Sequence, residues 1–430
     1  MPNTLPIESP SLAPGAIVHI AYSGGLDSTV LLHCLAHHDP RFRLRAVHIH
    51  HGLQASADEW AEKCERFSQS LGVAFELLRV QVDGLDPAGP EAAARSSRYE
   101  ALRGLMQPGD CLATAHHRGD QAETVMLRLL RGSGVHGLSA MRTLRAFAPG
   151  WLWRPFLELP RERIYAYAQE HDLRWIEDPH NRDTRYSRSW MREELTPLLR
   201  ERFPQTEESL ARTARLAAEA AGLMDELAAL DLADAAREGA LAVGALREFG
   251  AARRHNLLRW WLRQQGFEMP PADTLERIER EVLDAAEDAE PLLGWAGCEL
   301  RRYRDRLYAM TPLPPPPAAA PALAWTAEEL PLPEGCGSLR LPRPPPRGLS
   351  VRFMRGGERL RLAGAAHSRT LKNLFQEAGV PPWVRQRTPL VEADGELVYV
   401  AGIGGSGHWK ELLPGAGPDW LEPPAGAGTG

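Results

Sequence analysis

One short stretch constrains this chain more than any other: Ser23-Gly24-Gly25-Leu26-Asp27-Ser28, set between an apolar run and a helical pattern. Residues 16–22 (AIVHIAY) read as a buried strand, and residues 28–38 carry apolar side chains at helical spacing. A strand that turns through glycines into a helix gathers backbone N–H groups and the positive end of the helix at one point, which favours an anion. Gly24 and Gly25 allow close backbone approach and positive φ. Ser23 and Ser28 offer hydroxyls to phosphate oxygens. Asp27 would repel a bare phosphate, so its carboxylate makes sense with a Mg²⁺ between the two. No lysine follows the glycines, which excludes a Walker A loop. A plain Gly-Gly turn with an N-cap serine would explain the glycines alone.

The alternation continues downstream. Residues 43–50 read as a second strand, 55–71 as a helix with Trp60, Cys64, Phe67 and Leu71 on one face, and 74–80 as a third strand. Pro90 starts a helix over 91–106, residues 110–115 read as a fourth strand, and 119–131 as a helix. This pattern specifies an α/β fold with a doubly wound parallel sheet, in which ligands bind beyond the carboxyl ends of the strands. The loops 23–28, 50–54 and 115–120 lie at those ends. Residues 151–200 read as a further α/β piece with a helix over 161–171, and 206–238 and 251–288 as helices. The Pro-rich stretches 312–321 and 341–346 read as linker. The expected division is a catalytic domain over 1–205, a helical domain over 206–311, a Pro-rich linker over 312–349, a small α+β domain over 350–412 and a flexible tail over 413–430.

Charge and cysteine usage narrow the partners. The formal net charge is −6, so a nucleic acid must be met by local basic surface. Lys and Arg total 50 and are nearly all arginine, which suits bidentate phosphate contacts, although a GC-rich genome gives the same bias. The five cysteines form no CxxC pair, so a disulfide framework, a structural zinc site and an iron–sulfur cluster lack support. Reduced thiols, a polar N-terminus without a signal pattern and the lack of any long apolar run point to a cytoplasmic protein with no membrane partner.

The SGGxDS loop resembles the signature of PP-loop ATP pyrophosphatases, which cleave ATP between the α and β phosphates and adenylate an oxygen of a second substrate. Further segments resemble one family among them, the tRNA(Ile)-lysidine synthetases. His50-His51-Gly52-Leu53 is similar to that family's HxNHGL, with His50 in place of Asn. Glu91 to Tyr99 (EAAARSSRY) is similar to EAxARxxRY. Thr114 to Thr124 (TAHHRGDQAET) is similar to TAHHxDDQAET, with Gly119 where the first Asp of a pair is usual, and it runs into Leu129 to Gly134 (LLRGSG). Glu177 to Asp183 resembles EDPSNxD, and Tyr186 to Arg192 resembles YxRNxIR, with Ser189 in place of Asn. Residues 251–265 resemble the family's substrate-binding helical domain, and 351–390 the C-terminal domain of its longer members.

The resemblance implies a reaction and its site. ATP with Mg²⁺, L-lysine and a tRNA(Ile) with a CAU anticodon meet in one pocket. The wobble cytidine is adenylated at its C2 oxygen, and the lysine ε-amine then displaces AMP. Ser23, Gly24, Gly25, Leu26, Asp27, Ser28, His51 and Gly52 are expected to bind ATP, with Asp27 toward the metal. Asp120 and Glu123, at i and i+3 on one helix face, are expected to hold the lysine ammonium groups, although carboxylates in a first helical turn are also favoured by the helix dipole. Arg95 is expected at the α-phosphate and His116 near the reacting centre; His116 and His117 alone are too few ligands for a zinc site. Arg131, Arg188, Arg192, Arg355 and Lys372 are expected tRNA contacts, for which ordinary solvated charge is the competing account. Arg352, Arg359, Arg361 and Arg369 belong to the same basic tail, and Trp383 reads as a core anchor. A cytidine thiolase of the same superfamily, or an inactive tRNA-binding relative, is the alternative. The sequence leaves the oligomeric state open, a homodimer included.

Overall fold

The computed structural model describes the chain apart from residues 1–4, 39–41, 51, 53–55, 81–89, 178–182, 238, 287–288, 318–320, 416 and 422–430, and apart from the side chains of 38, 90–95 and 272. Strand β1 (Ile17–Ala21) buries Val18, His19 and Ile20 in succession. A strand buried on both faces belongs in the middle of a sheet. It pairs in parallel with β2 (Arg43–His50) on one side and β4 (Cys111–Ala113) on the other. Beyond β2 lies β3 (Ala74–Arg79), and beyond β4 lies β6 (Gly150–Trp153), both parallel to their neighbours. The edge strand β5 (Leu144–Phe147) is antiparallel to β6. Ala148 and Pro149 make that hairpin turn, with Ala148 at φ 50°. The strand order β3-β2-β1-β4-β6-β5 changes direction between β1 and β4, where a doubly wound sheet opens a crevice.

Helices cover both faces. α1 (Leu26–His38), α2 (Ala57–Ser70) and α6 (Arg161–Glu170) send Leu31, Cys64 and Ile164 into one core with Ile20 and Trp153. On the other face, Leu102 of α3 (Pro90–Leu105) packs with Val47, Leu112 and Leu152. α4 (Arg118–Leu130) follows β4 directly, and the short α5 (Val135–Leu138) follows it. After α6 come α7 (Ser187–Trp190), a π-helical turn over Met191–Leu195, α8 (Thr196–Arg202) and the long helix α9 (Thr206–Ala235).

By its internal contacts the chain divides into two units, Met1–Leu223 and Met224–Gly430. In the second unit, helix Ala251–Gln264 and π-helix Ile278–Leu283 share a core with an antiparallel sheet that includes Leu292–Trp295, Cys298–Tyr303 and Arg306–Met310. The sequence reading had helices alone over this stretch. The strand signal is masked by Arg302, which stands at an inward position of Cys298–Tyr303 where an apolar residue is expected. Arg302 is buried because its Nη1 donates to the carbonyls of Val282, Leu283 and Ala285, at 3.3, 3.0 and 2.8 Å. Those carbonyls end a helical segment and need donors. A second antiparallel sheet, with Leu349–Arg352, Leu390–Ala393 and Glu396–Val400, forms the C-terminal core. Trp383 is 8% exposed and packs edge-on to Tyr308. All five cysteines are buried and unbridged. Among the described residues, no helix is long and apolar enough to cross a membrane.

Candidate active site

The loop Ser23–Ser28 leaves the carboxyl end of β1 and enters α1, and its shape depends on Gly24. Gly24 has φ +83°, a conformation disfavoured for side-chain-bearing residues. A Cβ there would stand 2.7 Å from both Cys64 Sγ and Ile176 Cδ1. The Gly24 carbonyl accepts from Ile176 N–H at 2.9 Å and from the Thr29 hydroxyl at 3.2 Å. The loop is therefore clamped from behind by α2, α1 and the segment after α6. In front, the Ser23 and Ser28 hydroxyls lie 3.0 Å apart, and Ser28 donates to the Gly25 carbonyl. Leu26 turns into the core. Asp27 Oδ1 is buried without a hydrogen bond, with Arg161 Nε at 3.7 Å as an ion-pair partner. An orphaned carboxylate oxygen beside a phosphate-type loop fits a hard cation such as Mg²⁺, which takes oxygen ligands and retains several waters. Among the described residues no group of three or more His, Cys, Asp or Glu could hold a metal by itself.

The adjacent strand end, that of β4, carries the second half of the site. Thr114 Oγ1 and His116 Nδ1 are 2.8 Å apart. His117 caps α4: its Nδ1 accepts from Gly119 N–H at 3.0 Å, and its own N–H donates to Asp120 Oδ2 at 3.0 Å. One turn along, Glu123 has a side chain only 4% exposed. Between these carboxylates lies Arg192, from the π-helical turn. Its Nε and Nη2 donate to the two Glu123 oxygens at 2.8 and 3.0 Å, and Nη2 reaches Asp120 Oδ1 at 3.3 Å. Arg188, on α7, donates to Thr124 Oγ1 at 3.4 Å.

The two carboxyls are pushed in opposite directions. Burial raises Glu123 above the usual carboxylate range, and Arg192 only partly offsets it. Burial acts on Asp120 too, but His117, His116, the His117 N–H and Arg192 together hold it below that range. Burial would lower the Arg192 guanidinium, yet Glu123, Asp120 and Asp27 keep it firmly charged.

The structure thus brings Asp120, Glu123 and Arg192 into one cluster, with Asp27 near enough to act on Arg192 electrostatically. The sequence pattern sets Arg192 among the RNA contacts; here its guanidinium is engaged by the two carboxylates, because the chain after α6 folds back over α4. His51 lies outside the described residues, as does the side chain of Arg95 on α3. Gly52 is exposed at φ +68°. His50 is buried at the end of β2, 3.3 Å from Asp58, which also binds Arg79 at 2.9 Å. Arg131, at the carboxyl end of α4, is exposed. Sequence reasoning missed Arg161 beside Asp27, for which no motif signals, and the cap made by His117. The cap had no such signal either, since histidine is not among the usual N-cap residues.

Residues 8–199 match the PP-loop domain family, residues 241–308 the TilS substrate binding domain, and residues 349–417 the TilS substrate C-terminal domain. The tRNA(Ile)-lysidine synthase of Alkalilimnicola ehrlichii is 44% identical over 414 residues, covering 94% of this chain and 93% of that protein. That of Methylococcus capsulatus is 43% identical over 412 residues, 91% of this chain and 92% of the other. The chain belongs to the tRNA(Ile)-lysidine synthase family. Its order of PP-loop, substrate binding and C-terminal domains spans nearly the whole sequence. A further relative, from Xylella fastidiosa strain Temecula1, is 45% identical over 403 residues, 90% of this chain and 91% of that protein. Among solved structures, the U34-tRNA thiolase NcsA of Methanococcus maripaludis matches 48% of this chain and 73% of its own, at 21% identity and a TM-score of 0.41. Arg355 and Lys372 are exposed within the C-terminal match. Of their neighbours, Arg352 pairs with Glu358 and Glu392, and Arg369 with Glu377.

Proposed function

We propose that this protein is a tRNA(Ile)-lysidine synthase, an ATP-dependent ligase that joins L-lysine to C2 of the wobble cytidine of a CAU-anticodon tRNA(Ile) and releases AMP and pyrophosphate. One observation carries the proposal beyond family membership. A phosphate-type loop and a buried two-carboxylate cluster sit at the ends of neighbouring strands β1 and β4, on either side of the crevice. One half suits a nucleotide and the other suits a cationic amino acid.

The residues divide the work as follows. The Ser23–Ser28 backbone and hydroxyls hold ATP phosphates, Arg95 adds charge at the α-phosphate and His116 lies near the reacting centre; His51 and Gly52 border the nucleotide. Asp27 would hold Mg²⁺, which when bound would neutralise phosphate charge. The cytidine must leave its stack to reach the α-phosphate. Asp120 and Glu123 take the lysine ammonium in exchange for Arg192. Their opposed shifts suit two tasks: Asp120 stays ionised and fixes the cation, while Glu123 is the better proton acceptor for an amine that must attack uncharged. Holding three substrates together supplies much of the rate. Arg131, Arg188, Arg355 and Lys372 contact tRNA phosphates. The working parts are the segments 1–205, 206–311 and 350–412, joined by 312–349, and the setting is the cytoplasm.

Labelled lysine, ATP and a tRNA(Ile) transcript test this. Label in the RNA, with equal AMP released, is expected. Labelled sulfur entering instead, or no label with tRNA bound, would favour a thiolase or an inactive relative.

A further inference from the structure

The Pro-rich stretch 312–321 reads as linker in the sequence, yet its first residues are strapped to the second unit. Arg387, just after the short helix Pro382–Arg385, donates from Nη2 to the Pro314 carbonyl and from Nη1 to the Trp383 carbonyl, the latter at 2.9 Å. Gly335 backs the strap: a Cβ there would stand 2.7 Å from Pro314 Cγ. Beside the strap lies a cavity of about 360 Å³, lined among others by Glu290, Leu292, Arg301, Pro314, Trp383 and Arg387. Leu292 and Arg301 belong to the segment that matches the substrate binding domain, Trp383 and Arg387 to the one that matches the C-terminal domain. Both segments lie in one compact unit. Arg385 Nη2 donates to the Tyr303 hydroxyl at 2.8 Å, and Tyr308 packs edge-on to Trp383, so the two walls are tied together.

The charge in this cavity is not balanced. Arg387 is 7% exposed, and no carboxylate among the described residues pairs with it. Its Nε is buried without a hydrogen-bond partner. A guanidinium carries five N–H donors, and two carbonyls satisfy only part of them. Buried charges are ordinarily paired. Burial above all holds Arg387 below the usual guanidinium range, and the nearby Arg301 adds to this, against Cys336 and Glu299. Arg301 itself is matched: its Nε and Nη2 donate to Glu299 Oε2 at 3.0 and 2.7 Å, and its Cζ lies 5.4 Å from the centre of the Trp383 ring. The surplus positive charge is therefore that of Arg387. Glu290 is exposed and opposes it only weakly.

An anion would complete this site. Planar guanidinium forks suit the oxygens of a phosphate. The apolar wall of leucine, proline and tryptophan suits what a phosphate is attached to, and the volume lies in the range of small-molecule sites. We propose that this cavity is a phosphate subsite, in which Arg301 and Arg387 hold the phosphate of a nucleotide whose sugar or base rests on Leu292 and the Pro314 strap. It belongs to the second unit, whereas the Ser23–Ser28 loop belongs to the first. A nucleotide within a bound RNA and a free nucleotide present the same chemistry to it.

The test reads the cavity directly. The full-length protein is labelled with 5-fluorotryptophan, and the resonance of Trp383, one of twelve tryptophans, is assigned by its loss in Trp383→Phe. Inorganic phosphate, uridine 5′-monophosphate and a tRNA(Ile) transcript are titrated at constant ionic strength. A saturable shift of the Trp383 resonance is expected with inorganic phosphate. Arg301→Gln, which keeps a donor for Glu299, is expected to weaken it about tenfold or more, and Glu290→Gln to tighten it about two- to threefold. If the transcript acts at least about tenfold below the mononucleotide, the phosphate comes from RNA; if the mononucleotide acts at or below the transcript concentration, it comes from a free nucleotide. A Trp383 resonance unmoved by all three probes leaves Arg387 a clasp for the strap and overturns the proposal. A shift that sodium chloride reproduces, or that is equal in Arg301→Gln, overturns it too. If Arg301→Gln does not fold, Glu290→Gln decides: unchanged phosphate affinity overturns the subsite.

Discussion

Replacing Gly24 with alanine perturbs the phosphate loop by a single carbon, and its effect can be worked from the geometry. The residue must hold φ +83°, which for an L-residue costs roughly 1–2 kcal/mol. The new Cβ must also find room where Cys64 Sγ and Ile176 Cδ1 already stand 2.7 Å away. Overpacking of a filled site costs about 1–3 kcal/mol. Together these give about 2–5 kcal/mol of lost stability, or roughly 4–20 °C in Tm for a unit of this size. The neighbouring Gly25 is the control. Its φ is not positive, and the nearest atom to a Cβ there is Ser23 Oγ at 3.6 Å, an ordinary contact. Gly25→Ala is expected to melt near the parent while ATP binding is weakened by the added carbon in front of the loop. The assay is thermal melting together with ATP binding by calorimetry for both variants. If Gly24→Ala melts within a degree or two of Gly25→Ala, the clamp by Cys64 and Ile176 is not what shapes the loop.

Other predictions follow from the same geometry. Burial first, and then the neighbouring His37 and His171, lower His33 from 6.5 to about 4. In the unfolded chain it binds a proton near 6.5, so its contribution to stability is present above that pH and is lost as pH falls toward about 4; urea melts across this window should lose that slope in His33→Gln. Arg302→Met removes the donor for three carbonyls and is expected to destabilise the second unit by about 1–3 kcal/mol, read by urea denaturation. Arg355→Glu with Lys372→Glu is expected to weaken tRNA binding and reduce its salt dependence by about one unit of slope per lost phosphate contact, with the lysine KM at saturating tRNA unmoved.

Much of the first unit is legible in the chain. The strand over 43–50 is found at Arg43–His50, and the helix over 91–106 at Pro90–Leu105, because apolar periodicity and a proline start are local signals. The antiparallel edge strand β5 was not foreseen, since its turn, Ala148-Pro149, carries no glycine or asparagine. The sheet with Cys298–Tyr303, in the stretch read as helical, was not foreseen either, because the charge of Arg302 hides an inward position.

For the site, the sequence by itself determined the chemical parts. Two glycines and a carboxylate after a strand make a phosphate loop, and Asp120 and Glu123 at i and i+3 share a helix face whatever else the chain does. Only the tertiary structure decided what those parts meet. Arg192 lies 69 residues from Glu123 and 72 from Asp120, and Ile176 closes on Gly24 from across the fold. No periodicity records such pairs. They follow from the reversal of strand order between β1 and β4, which sets two loops side by side, and from the return of the chain after α6, which brings a guanidinium onto both carboxylates.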